Sequence, residues 1–181
     1  SSPMKPVLLL CSSTDGQTRR ICERLQARLQ AAGAAVTLTM IEDAAGVSPE
    51  AFCLVVIGAR IRYGHTDERV IAFANRHAAA LNAMPSAYIS VNIVARKPAK
   101  NRPETNPYVQ KLLKRVSWRP RLCDVFAGRL DYPRYGLLDR HMIRLIMWMT
   151  DGPTDLRTQV EFTDWQRVDD FGAALAALRT G

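Results

Sequence analysis

Val7-Leu8-Leu9-Leu10-Cys11 runs directly into Ser12-Ser13-Thr14-Asp15-Gly16-Gln17-Thr18, and the reading of this stretch decides the fold. Five apolar residues in a row, with no polar alternation, are the pattern of a strand buried on both faces in a parallel sheet. Beyond the polar turn, Ile21, Leu25, Leu29 and Ala32 recur at helical spacing, and Gly33 supplies a C-terminal stop. The turn therefore joins a buried strand to the start of a helix. Four hydroxyl groups, a glycine and the unpaired N–H groups of a first helical turn converge there. Together they can hold a phosphate dianion without any lysine. An ordinary polar turn with a Ser/Thr cap is the plain alternative. The loop contains neither GxxxxGK(S/T) nor GxGxxG, which argues against ATP or GTP hydrolysis and removes the dinucleotide fingerprint.

Working outward, Val36 to Ile41 reads as a second strand, and Phe52-Cys53-Leu54-Val55-Val56-Ile57 as a third that ends at Gly58. Val70, Phe73, Ala74, His77 and Leu81 mark one helix, with His77 a structural member of its apolar stripe. Ala87 to Val94 is a fourth strand, Asn106–Val116 a helix and Asp124–Leu130 a fifth strand. Thr163-Asp164-Trp165-Gln166 fits a capping box ahead of a last helix with the stripe Val168, Phe171, Leu175 and Leu178. Alternating strands and helices predict an α/β fold with a doubly wound, five-stranded parallel sheet in the order 2-1-3-4-5. Its ligand site is expected beyond the carboxyl ends of the strands, at the topological switch point. Residues 131–156 break the alternation and read as an insertion splitting the fifth strand, with Thr158–Phe162 as its resumed edge.

Length and 48% apolar content suit a single domain, assigned to residues 4–181. Ser1-Ser2-Pro3, ahead of Met4, reads as the remnant of an expression tag. No leader pattern and no run of 18 apolar residues occurs, so neither secretion nor membrane spanning is expected. Cys11, Cys22, Cys53 and Cys123 lack CxxC pairing, and with His141 they show no ligand spacing, so no metal is predicted. The net charge of +8 belongs to one segment. Residues 96–121 carry nine cations (Arg96, Lys97, Lys100, Arg102, Lys111, Lys114, Arg115, Arg119 and Arg121) against Glu104 alone. Such a segment attracts lipid headgroups, a carboxylate substrate or nucleic acid, or is simply a solvated face. Few aromatics interleave with these cations, which argues against single-stranded nucleic acid.

Several runs carry a resemblance. The loop with Asp15-Gly16-Gln17-Thr18 resembles the FMN-phosphate loop of flavodoxins. Ile57-Gly58-Ala59-Arg60-Ile61-Arg62-Tyr63-Gly64-His65, Ser90-Val91-Asn92-Ile93-Val94-Ala95-Arg96-Lys97-Pro98, Tyr132-Pro133-Arg134-Tyr135 and Thr163-Asp164-Trp165 narrow it. Together they are similar to the flavodoxin-like, quinone-dependent protoporphyrinogen oxidases of bacteria, over essentially the whole chain from Met4. Thr14 departs from that pattern where a longer basic side chain is expected.

The resemblance implies a flavodoxin-like fold, FMN, and oxidation of protoporphyrinogen IX with menaquinone or ubiquinone as acceptor in haem synthesis. It implies a cofactor site built from residues 12–18 and from the loops Ala59–His65 and Ser90–Lys97. Within that site Tyr63 offers a face for stacking on the flavin ring, and Asn92 an amide for its edge. Arg60 and Arg62 would stabilise the anionic reduced flavin and raise its potential, or form a surface pair. They and His65 are the weak catalytic candidates. His65 is suited to proton transfer but is equally an exposed loop residue. Arg96, Lys97 and Arg134 are the candidates for the substrate's two propionates. Leu137 to Met149 forms a helix with Leu138, Met142, Leu145, Ile146 and Met149 on one face and Arg140 and Arg144 on another. It either lies in a membrane interface, helped by 96–121, or packs on its own core or a second subunit. The resemblance places the protein on the cytoplasmic side of the bacterial inner membrane, peripherally bound. An NAD(P)H-fed quinone reductase and an electron-carrier flavodoxin share these loops and are the alternatives.

Overall fold

The computed structural model describes residues 4–181, and the reading of Ser1-Ser2-Pro3 lies outside the described residues. Its strands are β1 (Val7–Ser12), β2 (Val36–Met40), β3 (Leu54–Arg62), β4 (His65–Thr66), β5 (Ser86–Val91), β6 (Leu122–Phe126), β7 (Arg129–Asp131) and β8 (Gln159–Glu161). The helices are α1 (Gln17–Ala31), α2 (Glu68–Arg76), α3 (Ala78–Asn82), α4 (Pro107–Arg115), α5 (Leu137–Met149) and α6 (Trp165–Thr180). The main sheet runs β2-β1-β3-β5-β6, with every one of these pairs parallel. Counted without the two-residue β4, which folds back antiparallel on the end of β3, this is the expected 2-1-3-4-5 order.

All six residues of β1 are buried, as an uninterrupted apolar run requires. Alternate side chains leave the sheet on opposite faces and build two core layers. Leu8, Leu10, Val55, Ile57 and Tyr88 pack with residues of α2, α3 and α4. Val7, Leu9, Leu54, Val56 and Ile89 pack with α1 and α6. The α1–α6 side is also fastened by Asp169, whose two carboxylate oxygens accept paired bonds from both Arg24 and Arg28 at 2.7–2.9 Å. At the end of α1, the N–H of Gly33 donates to Gln30 and that of Ala34 to Leu29, which satisfies the last carbonyls.

Several expected boundaries move. The third strand does not stop at Gly58 but continues to Arg62, so Ala59–Arg62 is strand and only Tyr63-Gly64 is turn. Gly58 is favoured by packing: a Cβ there would lie 3.0 Å from Cys22 Sγ on α1. The fourth strand ends at Val91, because Asn92 caps a tight helical turn over Ile93–Arg96 by accepting from the N–H of Ala95. The second helix is two helices, broken at His77, whose ring lies tilted against that of Phe73 with 4.5 Å between centroids. Asp164, not Thr163, caps α6, accepting from the N–H of Arg167. The Thr163 hydroxyl instead donates to the Ala127 carbonyl.

The region after the fifth strand differs most. β7 leaves the main sheet and pairs antiparallel with β8, from Arg129↔Glu161 to Asp131↔Gln159. Thr158–Phe162 therefore returns beside β7 rather than resuming the edge of β6. Between the two arms of this ribbon the chain runs out through α5. A separate small core of Leu130, Tyr132 and Met147, with Ile143, Ile146 and Val160 against it, seats that helix. Among the described residues no helix is long and apolar enough to cross a membrane. No cluster of three or more His, Cys, Asp or Glu comes together there either.

Candidate functional site

The ends of β1, β3 and β5 open into a cleft of about 170 Å³ at the switch point of the sheet. One wall is the loop between β1 and α1. Gly16 takes φ +93°, a left-handed conformation open to glycine, and this turns the chain into the helix. The loop is braced internally: Ser13 Oγ accepts from the N–H of Gly16 and Asp15 from that of Gln17. Among the described residues, the N–H groups of Thr14, Asp15, Thr18 and Arg19 have no protein partner. They form a donor set at a helix N-terminus, suited to a phosphate.

The second wall is the β3–β4 hairpin. Arg60, Ile61, Arg62, Tyr63 and Gly64 all line the cleft. Tyr63 has φ +51°, and the Arg62 guanidinium lies 4.9 Å above its ring. Beneath the hairpin sits Asp67, a side chain only 5% exposed. It accepts from the Ser12 hydroxyl at 2.7 Å and from Arg69, caps α2, and lies 3.8 Å from Arg60. Burial opposes ionisation of Asp67. The bonds from Arg69 and Ser12 outweigh it and hold the carboxyl well below the usual range. Arg60 is pushed the other way: desolvation lowers its pKa against the pull of Asp67, and its Nε is buried with no hydrogen-bond partner.

Asp67 makes the first prediction. Asp67→Ala removes a helix cap and the partner of two arginines, and should cost about 2 kcal/mol in urea unfolding. A carboxyl whose folded pKa is depressed stabilises above its unfolded pKa, and that stabilisation disappears as pH falls through the folded value. Wild-type stability should therefore begin to decline below about pH 4, and the decline should be shallower in the variant.

The remaining walls were not foreseen. Gly128, Arg129 and Leu130 come from the approach to and start of β7, Tyr108 from α4, Tyr135 from the turn before α5, and Asp139, Ile143, Ile146 and Met147 from α5 itself. Arg129 is held at 2.9 Å by Asp131, whose carboxylate is almost wholly buried. Burial also raises the Tyr135 pKa, and its hydroxyl oxygen accepts from the N–H of Asp131. Asp139 joins the hairpin to α5, accepting from Arg62 at 2.8 Å and from the Tyr63 hydroxyl. Of these residues Tyr135 lies in a run that carries the resemblance, Ile146 belongs to the apolar face read from the sequence, and Asp139 stands out as the single acid in an otherwise apolar and basic helix.

The expected site residues divide accordingly. Thr14, Asp15, Gln17, Thr18, Arg60, Ile61, Arg62, Tyr63, Gly64, Val91, Asn92 and Ile93 line the cleft. Ser12, Ser13, Gly16, Ala59, Ser90 and Val94 are not among the residues that line it. Asn92 lines it, but its amide is already committed to Ser90, Ala95 and Asn106, so the ring-edge role proposed for that amide is taken by protein partners. His65 is exposed and lies off the cleft. The three propionate candidates lie off it too. Arg96 turns its guanidinium onto the carbonyls of Ile93 and Thr150 and the Thr150 hydroxyl, and desolvation lowers its pKa. Lys97 does not reach the cleft, and Arg134 stands exposed, 3.9 Å from Asp131. Arg129 is the cation sequence reasoning missed.

Comparison with known proteins fits this geometry. The family model described as a flavodoxin domain matches residues 8–157. A protein of Escherichia coli K12 named protoporphyrinogen IX dehydrogenase (quinone) is 46% identical over 171 residues, covering 94% of each chain. One of the same name from Leishmania major is 41% identical over 94% of this chain and 74% of its own. Flavodoxin 1 of Bacillus cereus superposes with a TM-score of 0.56 at 12% identity, covering 95% of this chain and 97% of its own. An archaeal flavodoxin does so with a TM-score of 0.53 at 11% identity, covering 97% and 99%. A flavodoxin domain implies a flavin, and the cleft fits one: its lining includes Thr14, Asp15 and Thr18 with their free N–H donors, and Arg60, whose buried Nε has no partner. Sequence, fold and cleft agree, and the chain belongs to the flavodoxin domain family, within the group of proteins named protoporphyrinogen IX dehydrogenase (quinone).

Proposed function

We propose that this protein uses FMN to oxidise protoporphyrinogen IX to protoporphyrin IX, passing the electrons to a membrane quinone, menaquinone or ubiquinone. The observation that carries the reading is 46% identity over 94% of the chain to a dehydrogenase of that name, on a fold whose cleft suits a flavin. Bound FMN would supply two-electron exchange, so three rounds remove the six electrons the macrocycle gives up. The residues then have separable tasks. Thr14, Asp15, Thr18 and Arg19 would grip the phosphate through their N–H groups, and the first turn of α1 adds a favourable dipole. Arg60 would meet a carbonyl at the ring edge through its free Nε. Leu130, Ile143, Ile146 and Met147 give the cleft an apolar roof that excludes water and suits a flat hydrophobic substrate. Arg129, braced by Asp131, replaces Arg96, Lys97 and Arg134 as the partner for a propionate.

We place the protein peripherally on the cytoplasmic face of the bacterial inner membrane, and the outer side of α5 supports the membrane contact in that reading. Leu137, Leu138, Trp148 and Met149 are each about 70% exposed, with Met142 and Leu145 beside them. Ile146 is the exception to the expected face, because it turns inward to the cleft. Within 96–121, Arg96, Arg115 and Arg119 are engaged with protein groups. Lys97, Lys100, Arg102, Lys111, Lys114 and Arg121 have no ion-pair partner among the described residues and remain for anionic headgroups.

Anaerobic incubation of the FMN-loaded protein with protoporphyrinogen and a menaquinone analogue should produce porphyrin fluorescence. No fluorescence there, with rapid quinone reduction on adding NADPH, would move the assignment to a nicotinamide-fed reductase. Arg60→Ala should lower the two-electron flavin potential by about 30 mV, the shift that corresponds to 1.4 kcal/mol of lost charge stabilisation. Arg62→Ala should lower it less, because Asp139 already offsets that charge. Equal potentials in wild type and Arg60→Ala would end the role given to Arg60.

A further inference from the structure

We propose that α5 is a gate over the cleft, hinged at its C-terminal end and latched at its N-terminal end by Asp139. The inference deepens the reading above, since it says how a ligand enters the same cleft. The two ends of the helix are held very differently. At the C-terminal end Met147 is fully buried, and the N–H of Gly152 closes the last turn onto its carbonyl at 2.7 Å. Arg96 adds bonds to the Thr150 carbonyl and hydroxyl at 2.8 and 3.2 Å. A Cβ on Gly152 would come within 2.6 Å of Met147 Sδ and 2.8 Å of Arg96, so chain, helix and guanidinium are in close contact.

At the N-terminal end no residue of the first two turns is fully buried, although Arg140 Nε is shielded from solvent. Leu137 and Leu138 are 71% and 73% exposed, and Gly136 offers no side-chain cap. The Arg140 guanidinium reaches only the Tyr135 carbonyl, at 3.4 Å, and its Nε has no partner. What fastens this end to the opposite wall is Asp139, through Arg62 and Tyr63. Both members of the ion pair are partly exposed, at 45% and 30%, so water competes for them and the latch is weak. A weak clasp at one end and an anchored core at the other let the first turns of the helix open locally while its last turn holds. Asp139 and Ile143, on the turns that open, line the cleft, so the motion widens it. Asp139 is thus a positioning residue for α5 and the hairpin together.

The test is hydrogen exchange on the purified full chain, compared between wild type, Asp139→Ala and the charge swap Arg62→Asp with Asp139→Arg. In Asp139→Ala the amides of residues 141–144 should exchange about fivefold faster, the loss of one exposed pair. Those of 149–152 should hold, and the swap should restore the slow rate. Tyr63→Phe, which leaves the ion pair intact, should give a smaller acceleration confined to the same amides. FMN should leave Asp139→Ala about fivefold faster, read as returning flavin fluorescence. Equal acceleration at both ends of α5, or none, overturns the hinge. Faster exchange with unchanged FMN release overturns the gate. A wild-type chain that takes up no FMN overturns the function proposed above, while the exchange comparison still judges the latch.

Discussion

Thr14→Glu is expected to weaken FMN binding by about 3 kcal/mol, more than a hundredfold, while leaving the fold intact. Thr14 is exposed and lines the cleft, so a longer acid can be accommodated without disturbing the core. Its N–H belongs to the donor set at the start of α1, and a carboxylate there would face the phosphate at a few ångströms. Two like charges about 4 Å apart near a protein surface repel by roughly 4 kcal/mol before relaxation and salt reduce it. Surface substitutions away from caps and cores shift stability by about 0.5 kcal/mol or less, so denaturation should scarcely change. Titration of the stripped protein with FMN, followed by quenching of flavin fluorescence, measures the loss. Wild-type affinity in this variant would mean that the phosphate sits elsewhere.

The second large effect concerns the excursion between β7 and β8. Replacing residues 133–157 by a short Asn-Gly turn should abolish protoporphyrinogen oxidation and keep FMN bound. Tyr132 and Thr158 are already hydrogen-bonded to each other across the ribbon, so a tight turn can join the arms there. The donor loop, Arg60 and the β3–β4 hairpin remain, and these are the groups assigned to the cofactor. What disappears is Tyr135, Ile143, Ile146 and Met147 on the cleft wall, together with the Asp139 contact. Loss of substrate positioning and of water exclusion should lower turnover by about a thousandfold or more. Full turnover by the shortened chain would remove α5 from the reaction.

The parallel sheet was legible because fully buried strands announce themselves as unbroken apolar runs. β1 and the core of β3 could be read directly. The errors came where a residue serves a distant contact. Gly58 looks like a strand end in sequence, yet it is glycine because Cys22 on α1 comes close. Asn92 looks like one more residue of a strand, but its side chain caps the turn that ends it. The donor loop and the hairpin arginines could be found because each lies just past a strand. The place of Arg129, Tyr135 and Asp139 on the cleft could not, because they reach it only through a ribbon that pairs residues about thirty apart. Arg96 shows the converse. A cation in a basic segment invites assignment to an anionic ligand, and only the fold reveals the carbonyl of Thr150, 54 residues away, waiting for it.

The β7–β8 ribbon has a further consequence for how such chains can diverge. Its two arms bring the start and finish of the excursion side by side, so the host sheet is indifferent to what is strung between them. Doubling the length of such a loop costs only about 0.6 kcal/mol in closure entropy. Lineages could lengthen, shorten or recompose this appendage, trading one redox partner for another, while the flavin platform underneath is inherited unchanged.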